Sequence, residues 1–145
     1  MPTVADILAV KGQQVHSTTP GATVLSATLK MNQYKLGALI VMQGNEVAGI
    51  FTERDVLRRV VAEQKDPATA TVAEVMTPNV FCVKPTTDLD EVSSIMQQRK
   101  IRHLPVCDEG GRLHGMISIG DVNAYNVKNQ EAHISFLNEY IYGRA

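Results

Sequence analysis

The sequence predicts an α/β fold: two copies of one small unit packed about a pseudo-twofold axis, followed by a C-terminal helix. Three observations carry this prediction. They are a colinear internal repeat, the same order of helix and strand patterns in each copy, and a length that leaves neither copy much core of its own. Thr3-Val4-Ala5-Asp6-Ile7-Leu8 returns as Thr71-Val72-Ala73-Glu74-Val75-Met76. Gly49-Ile50-Phe51-Thr52-Glu53-Arg54-Asp55-Val56 returns as Gly115-Met116-Ile117-Ser118-Ile119-Gly120-Asp121-Val122. Between these blocks, Pro20, Met31 and Val41 match Pro85, Met96 and Val106 at one common offset. One match arises by chance; a colinear series at near-constant spacing marks a duplication. The chain has 145 residues, so each unit of about 60 buries little alone and the two are expected to share a core.

Each unit reads as helix, strand, helix, strand, strand, helix. Thr3 with Asp6, and Thr71 with Glu74, have the spacing of a capping box and open the leading helices. Short strands follow at residues 14–17 and 81–84. The next helices place Val24, Ala27, Thr28 and Met31, or Leu89, Val92, Ile95 and Met96, on one face. Asp88 and Asp90 fall at the start of the second of these, where they serve as cap and dipole partners. Two strands come next, at 38–41 with 46–51 and at 104–107 with 112–117. Gln43-Gly44-Asn45 and Asp108-Glu109-Gly110-Gly111 supply the turns between them. The last helices begin at Thr52 and Ser118. The predicted boundaries are 1–64 for the first unit, 65–70 for a polar linker around Lys65-Asp66-Pro67, 71–128 for the second unit and 129–145 for the C-terminal helix. In that tail, Ile134, Leu137 and Ile141 recur at helical spacing, and Phe136 and Tyr140 are four apart.

Composition narrows the function classes. Hydrophobic residues are 44% and charged residues 20%, values of an ordinary globular protein. Lys+Arg is 14 against Asp+Glu 15, and there is no Trp, which argues against a general nucleic-acid binder. No apolar run approaches the roughly 20 residues of a membrane helix. The first residues lack the basic start and apolar stretch of a signal peptide, so a cytoplasmic home is expected. Cys82 and Cys107 are expected to be small core residues rather than a disulfide framework or a metal site. His16, His114 and His133 have no metal-ligand spacing and are assigned structural or surface roles. No P-loop, G-x-G-x-x-G or G-x-S-x-G motif occurs, so no catalytic residue is named and the chain is not read as an enzyme.

The residues with chemistry sit where each second strand hands over to a helix. Thr52-x-x-Asp55 and Ser118-x-x-Asp121 form a capping box in the bland reading. The same geometry suits a nucleotide. A helix N-terminus presents free N–H groups and partial positive charge to a phosphate, and a carboxylate one turn in accepts from ribose hydroxyls. Arg54 adds a cation fitted to phosphate, with Gly120 as its counterpart. Arg102 and His103 precede the second-unit strand, where the first unit has Gly37 and Ala38. The two clefts have therefore diverged at the positions that meet a ligand.

The strand Ile101-Arg102-His103-Leu104-Pro105-Val106, followed by the paired Gly-x-x-[Thr/Ser]-x-x-Asp motifs, resembles the cystathionine β-synthase-type (CBS) domain, in a tandem pair spanning about residues 3–127. Ile40 stands where that family usually shows Pro. The resemblance implies two tandem CBS-type repeats forming a regulatory module that binds adenine nucleotides between its units. AMP is the first expectation, with ADP, ATP or NAD(H) as other regulatory ligands and no metal required. It carries Leu36, Gly37 and Ala38 into one site, beside Thr52, Arg54 and Asp55. It carries Thr77, Asn79, Val80, Ile101, Arg102 and His103 into the other, with Ser118, Ile119, Gly120 and Asp121. A homodimer that signals to a downstream protein is expected, with no membrane partner. A scaffold module without ligand and, less favoured, a nucleotide hydrolase remain as alternatives.

Overall fold

The computed structural model describes the backbone of residues 1–142 and the side chains of residues 1–130 and 134. The elements are α1 (Val4–Lys11), β1 (Ser17–Thr18), α2 (Val24–Tyr34), β2 (Ala38–Gln43), β3 (Glu46–Thr52) and α3 (Glu53–Asp55). After α3 the chain widens into a π-helix over Val56–Val61. Then come α4 (Val72–Val75), β4 (Thr77–Pro78), α5 (Leu89–Arg99), β5 (His103–Cys107), β6 (Leu113–Ser118) and α6 (Ile119–Tyr142). One sheet has the order β1-β2-β3-β4; β5 and β6 form a second. Val83 adds a parallel bridge to Val106 in place of the strand expected at 81–84.

The two repeats exchange their leading helices. Val4, Ile7 and Leu8 of α1 pack with Val83, Leu89, Val92, Met96, Leu104, Val106, Ile117 and Val122 of the second repeat. Val72 and Val75 of α4 pack with Val24, Ala27, Met31, Leu39, Val41, Phe51 and Val60 of the first. There are thus two cores, each drawn from both repeats, rather than the single shared core expected. Backbone bonds repeat the exchange on both sides of the axis. Val4 N–H donates to Thr87 O and Leu89 N–H to Pro2 O; likewise Val24 N–H donates to Ala70 O and Val72 N–H to Ala22 O. Close approaches also match. A Cβ on Gly115 would lie 3.0 Å from Leu8 Cδ2, and one on Gly49 would lie 2.9 Å from Met76 Sδ.

Local chemistry explains the element ends. Thr3 N–H donates to Asp6 (2.8 Å), so the first capping box forms as expected. The second does not form: Thr71 makes no side-chain cap bond, and Glu74 lies 3.9 Å from Lys65. Asp88 is the N-cap of α5 by position but makes no side-chain cap bond; Thr87 turns back to accept from Lys84 N–H. Helices α2 and α5 both end on a lysine in the left-handed region, Lys35 and Lys100 (φ 55 each). Residues 66–70 of the linker are bonded to the first repeat. Ala70 N–H bonds Asp66 O, Leu25 N–H bonds Pro67 O, and Ala70 sits in the first core. The C-terminal helix expected at 129–145 is, over its described residues, the continuation of α6. Of its apolar stripe, Ile134 is exposed, and Phe136, Leu137, Tyr140 and Ile141 lie outside the described side chains, as does His133.

Candidate functional site

Both Thr/Ser-x-x-Asp motifs fold as capping boxes. Thr52 N–H donates to Asp55 Oδ2 (2.9 Å), and Asp55 N–H returns a bond to Thr52 Oγ1 (3.3 Å). Ser118 and Asp121 do the same at 2.9 and 3.1 Å. The residue after each hydroxyl is tied to the start of its own unit's first long strand: Glu53 N–H to Gly37 O (3.1 Å), and Ile119 N–H to Arg102 O (2.8 Å). Helix start and strand start are thereby one rigid corner in each unit.

The corners meet at the pseudo-twofold axis. A Cβ on Gly37 would lie 3.4 Å from the His103 ring and 3.5 Å from Glu53 Oε1, ordinary contact distances, so His103 of the second unit lies close against the first. Arg54 donates to Lys100 O (3.2 Å), joining the first helix start to the turn before β5. Burial, and next the Lys11 charge, hold the His103 imidazole below its ordinary pKa; Glu53 and Asp121 oppose this, and Arg102 reinforces it. These sequence-named residues, Gly37, Arg54, His103 and the two motifs, are therefore gathered at one junction. Leu36 packs on the first core and Ala38 is buried at the start of β2. Ile101 packs on the second core, while Arg102 and Gly120 are exposed.

The segment carrying Thr77, Asn79 and Val80, which the resemblance assigns to the second corner, runs between the two sheets. Thr77 pairs with Ile50 and Pro78 with Gly49, so β4 extends the first unit's sheet. Six residues after Thr77, Val83 is bonded into the second sheet. Asn79 and Val80 thus lie where the chain crosses between sheets, and Asn79 adopts a left-handed turn (φ 54). The exchange of leading helices is the cause: α4 packs in the first core and delivers the residues after it to β3.

The same exchange brings in a group that sequence reasoning missed. Lys11, at the end of α1, reaches Asp121 Oδ2 at 2.7 Å and Met116 O at 2.8 Å. The offset that relates Thr3 to Thr71 relates Lys11 to Asn79, so the repeat itself contained the signal. Burial works against ionisation of Asp121. The Lys11 ammonium and the Ser118 N–H outweigh it and hold the carboxyl below its ordinary pKa. At the first corner the neighbouring cation is Arg59, 3.8 Å from Asp55 Oδ1, which also donates to Val75 O and Met76 O. The Asp55 side chain is 9% exposed and that of Asp121 is 24%, so the second carboxylate is the more accessible. A groove of about 400 Å³ between α1 and α6 leads to the Lys11–Asp121 pair, lined by Ile7, Val10, Ala124 and Tyr125 with Lys128 and Asn129. Elsewhere, His16 stacks on Tyr34 (4.0 Å) and His114 bonds Asp108 (2.9 Å). Among the described residues, no group of three or more His, Cys, Asp or Glu is placed to hold a metal ion.

The family model described as the CBS domain matches twice, over residues 4–62 and 72–127, the two repeats just described. The chain belongs to the CBS-domain family. As a CBS pair it is similar to the mitochondrial CBS domain-containing protein CBSX3 of Arabidopsis thaliana, at 33% identity over 97% of this chain and 72% of that one. It is also similar in structure to a protein with CBS domains from Burkholderia ambifaria. The identity there is 39% and the TM-score 0.85, covering 89% of this chain and 96% of the other. A hexameric CBS-CP12 protein of bloom-forming cyanobacteria shares 33% identity at a TM-score of 0.74, covering 83% of this chain and 66% of its own. CBS pairs are regulatory modules, not typically catalytic. No described helix of this one is long and apolar enough to cross a membrane.

Proposed function

We propose that this CBS pair senses an adenine nucleotide, AMP in the first place, at the corner formed by Ser118, Asp121, Arg102 and His103, and reports it through the leading helix α1. The observation that carries the reading is the Lys11–Asp121 bond, which joins the N-terminal helix to the helix start of the second repeat. The ribose hydroxyls of a nucleotide compete for that carboxylate. As they engage it, the Lys11 ammonium is released toward the phosphate, where Arg54 and Arg102 add charge. Lys11 is followed directly by the segment that enters β1 of the first sheet, so exchanging its partner shifts the two halves relative to one another. Such a shift regulates a partner only through different nucleotide affinity in the two arrangements. The more enclosed Asp55 makes the first corner the weaker site. ADP, ATP and NAD(H) offer the same ribose and phosphate chemistry. The proposal keeps the module in the cytoplasm, acting on a downstream protein.

Isothermal calorimetry with AMP, adenosine, ADP, ATP and NAD(H) tests this. Asp121→Ala is expected to weaken AMP about 10- to 100-fold, the loss of charged hydrogen bonds to the ribose. Arg54→Ala and Arg102→Ala should weaken AMP more than adenosine. Equal affinity of wild type and Asp121→Ala for every nucleotide overturns the site. One observation favours a second reading, a scaffold without ligand: both motif carboxylates already satisfy helix N–H groups and neighbouring cations. Absence of heat with all five compounds would establish that reading.

A further inference from the structure

Cys82 and Cys107 are free thiols whose sulfurs lie 3.2 Å apart, although twenty-five residues separate them in the chain. They flank the bridge by which Val83 fastens the crossing segment to the second sheet. Val83 N–H donates to Pro105 O (2.9 Å), and Cys107 N–H donates to Val83 O (2.8 Å). Cys107 is buried at the end of β5, beside the register shift between Val106 and Cys107. Cys82 is half-buried and reachable from solvent. A disulfide bond is about 2.05 Å long, so the sulfurs need to approach by roughly 1 Å.

We propose that Cys82 and Cys107 form a reversible intramolecular disulfide that locks the 79–83 crossing segment onto the second sheet. The oxidant is a small-molecule disulfide such as oxidised glutathione. The Cys82 thiolate attacks one sulfur of the oxidant, and one glutathione thiol leaves. Cys107 then gives up its proton and attacks the Cys82 sulfur, displacing the second glutathione thiol. Two electrons and two protons pass from the protein to the oxidant, and a reducing thiol reverses both steps. Burial, and then the hydrogen bond and charge of Cys82, push the Cys107 thiol up to about 12. The Cys82 contributions disappear once that sulfur is in a mixed disulfide, which makes the second step easier than the resting thiol suggests. In a reducing compartment such a bond is transient, as a redox sensor requires. Cys82 lies two residues after Val80, so oxidation stiffens the chain where it crosses between the two sheets. The bond itself does not depend on a nucleotide being bound there.

The experiment equilibrates the full chain with oxidised glutathione, blocks free thiols with N-ethylmaleimide, and maps peptides by mass spectrometry. The expected product is a linked Cys82–Cys107 peptide, absent after dithiothreitol. Cys107→Ser should stop at glutathione on Cys82, and Cys82→Ser should leave Cys107 unmodified. Wild-type chain that keeps glutathione on Cys82, or carries two maleimides, overturns the proposal. Hydrogen exchange at the Val83 and Cys107 amides should slow on oxidation. A linked peptide with unchanged exchange at both amides overturns the locking role. Neither readout uses nucleotide affinity, so failure here is distinct from failure of the nucleotide site.

Discussion

Asp55 and Asp121 occupy equivalent positions and make the same capping bonds, yet their neighbours differ. Asp55 meets Arg59 from its own helix, and Asp121 meets Lys11 from the far end of the chain. The depressed folded-state pKa of Asp121 has a definite sign. It contributes stability above the unfolded carboxyl value of about 3.9, and that contribution is lost as pH falls through the folded value. Lys11→Met removes the main compensation for burial. We expect it to cost about 0.5–1.5 kcal/mol at neutral pH, after allowing for the partly exposed pair, and to start acid unfolding at higher pH. Urea titrations followed by circular dichroism at several pH values check both. His103 shifts in the same direction, although here the favoured form is the uncharged one. Its lowered pKa means that the folded chain prefers the neutral ring, so stability falls as pH drops from about 6.5 toward the folded value. His103→Gln should flatten the pH dependence of stability in that window; an unchanged slope would place the titration elsewhere. Asp121 and His103 were legible as site residues because their motif and strand positions are local. Lys11 was legible only to a reader who carried the repeat offset across the exchanged helices.

At the scale of elements, the two glycines facing the leading helices make a controlled pair. A Cβ on Gly49 would meet Thr77 O at 2.6 Å, a backbone atom held in the β3–β4 pairing. On Gly115 the nearest atom is Leu8 Cδ2 at 3.0 Å, the end of a side chain that can rotate. Gly49→Ala is expected to destabilise by about 1–3 kcal/mol, and Gly115→Ala by clearly less. Thermal melts of the two variants rank them. Reversal of the order would mean that β4 yields more readily than Leu8. Strands β2, β3, β5 and β6 were readable from apolar runs bounded by turn residues. β4 was not: two residues ending in Pro78 carry no periodicity, and Pro is tolerated there because the strand is at the sheet edge.

The whole molecule is held together by exchange. Each core needs a leading helix from the other repeat, so neither half is complete without its partner. A chain of residues 1–64 lacks Val72 and Val75 and should remain unfolded, while the intact protein should unfold in a single transition. Circular dichroism of the fragment, and coincident fluorescence and circular dichroism melts of the whole, test this. Two separate transitions would contradict it. Leu29, Leu57, Val61, Val127 and Ile134 remain exposed on helices, apolar side chains that a second copy would cover. We expect a homodimer by light scattering coupled to size exclusion. A monomer at micromolar concentration would overturn the dimer. A stable dimer of a chain ending at Lys128 would remove only the tail from its interface.

By itself the sequence determined the duplication, the longer helices and the paired strands of each copy, the capping boxes at Thr52 and Ser118, and the asymmetry between Gly37-Ala38 and Arg102-His103. All of these rest on contacts within a few residues, or on the spacing of one copy against the other, and both are written along the chain. Only the tertiary structure decided which core receives α1, that Thr77 joins the first sheet, that Lys11 lies on Asp121, and that Cys82 lies on Cys107. Similar helix patterns can dock on either repeat. What selects between them is the packing of Val4, Ile7 and Leu8 against side chains some eighty to more than a hundred residues distant, and no local pattern encodes that choice.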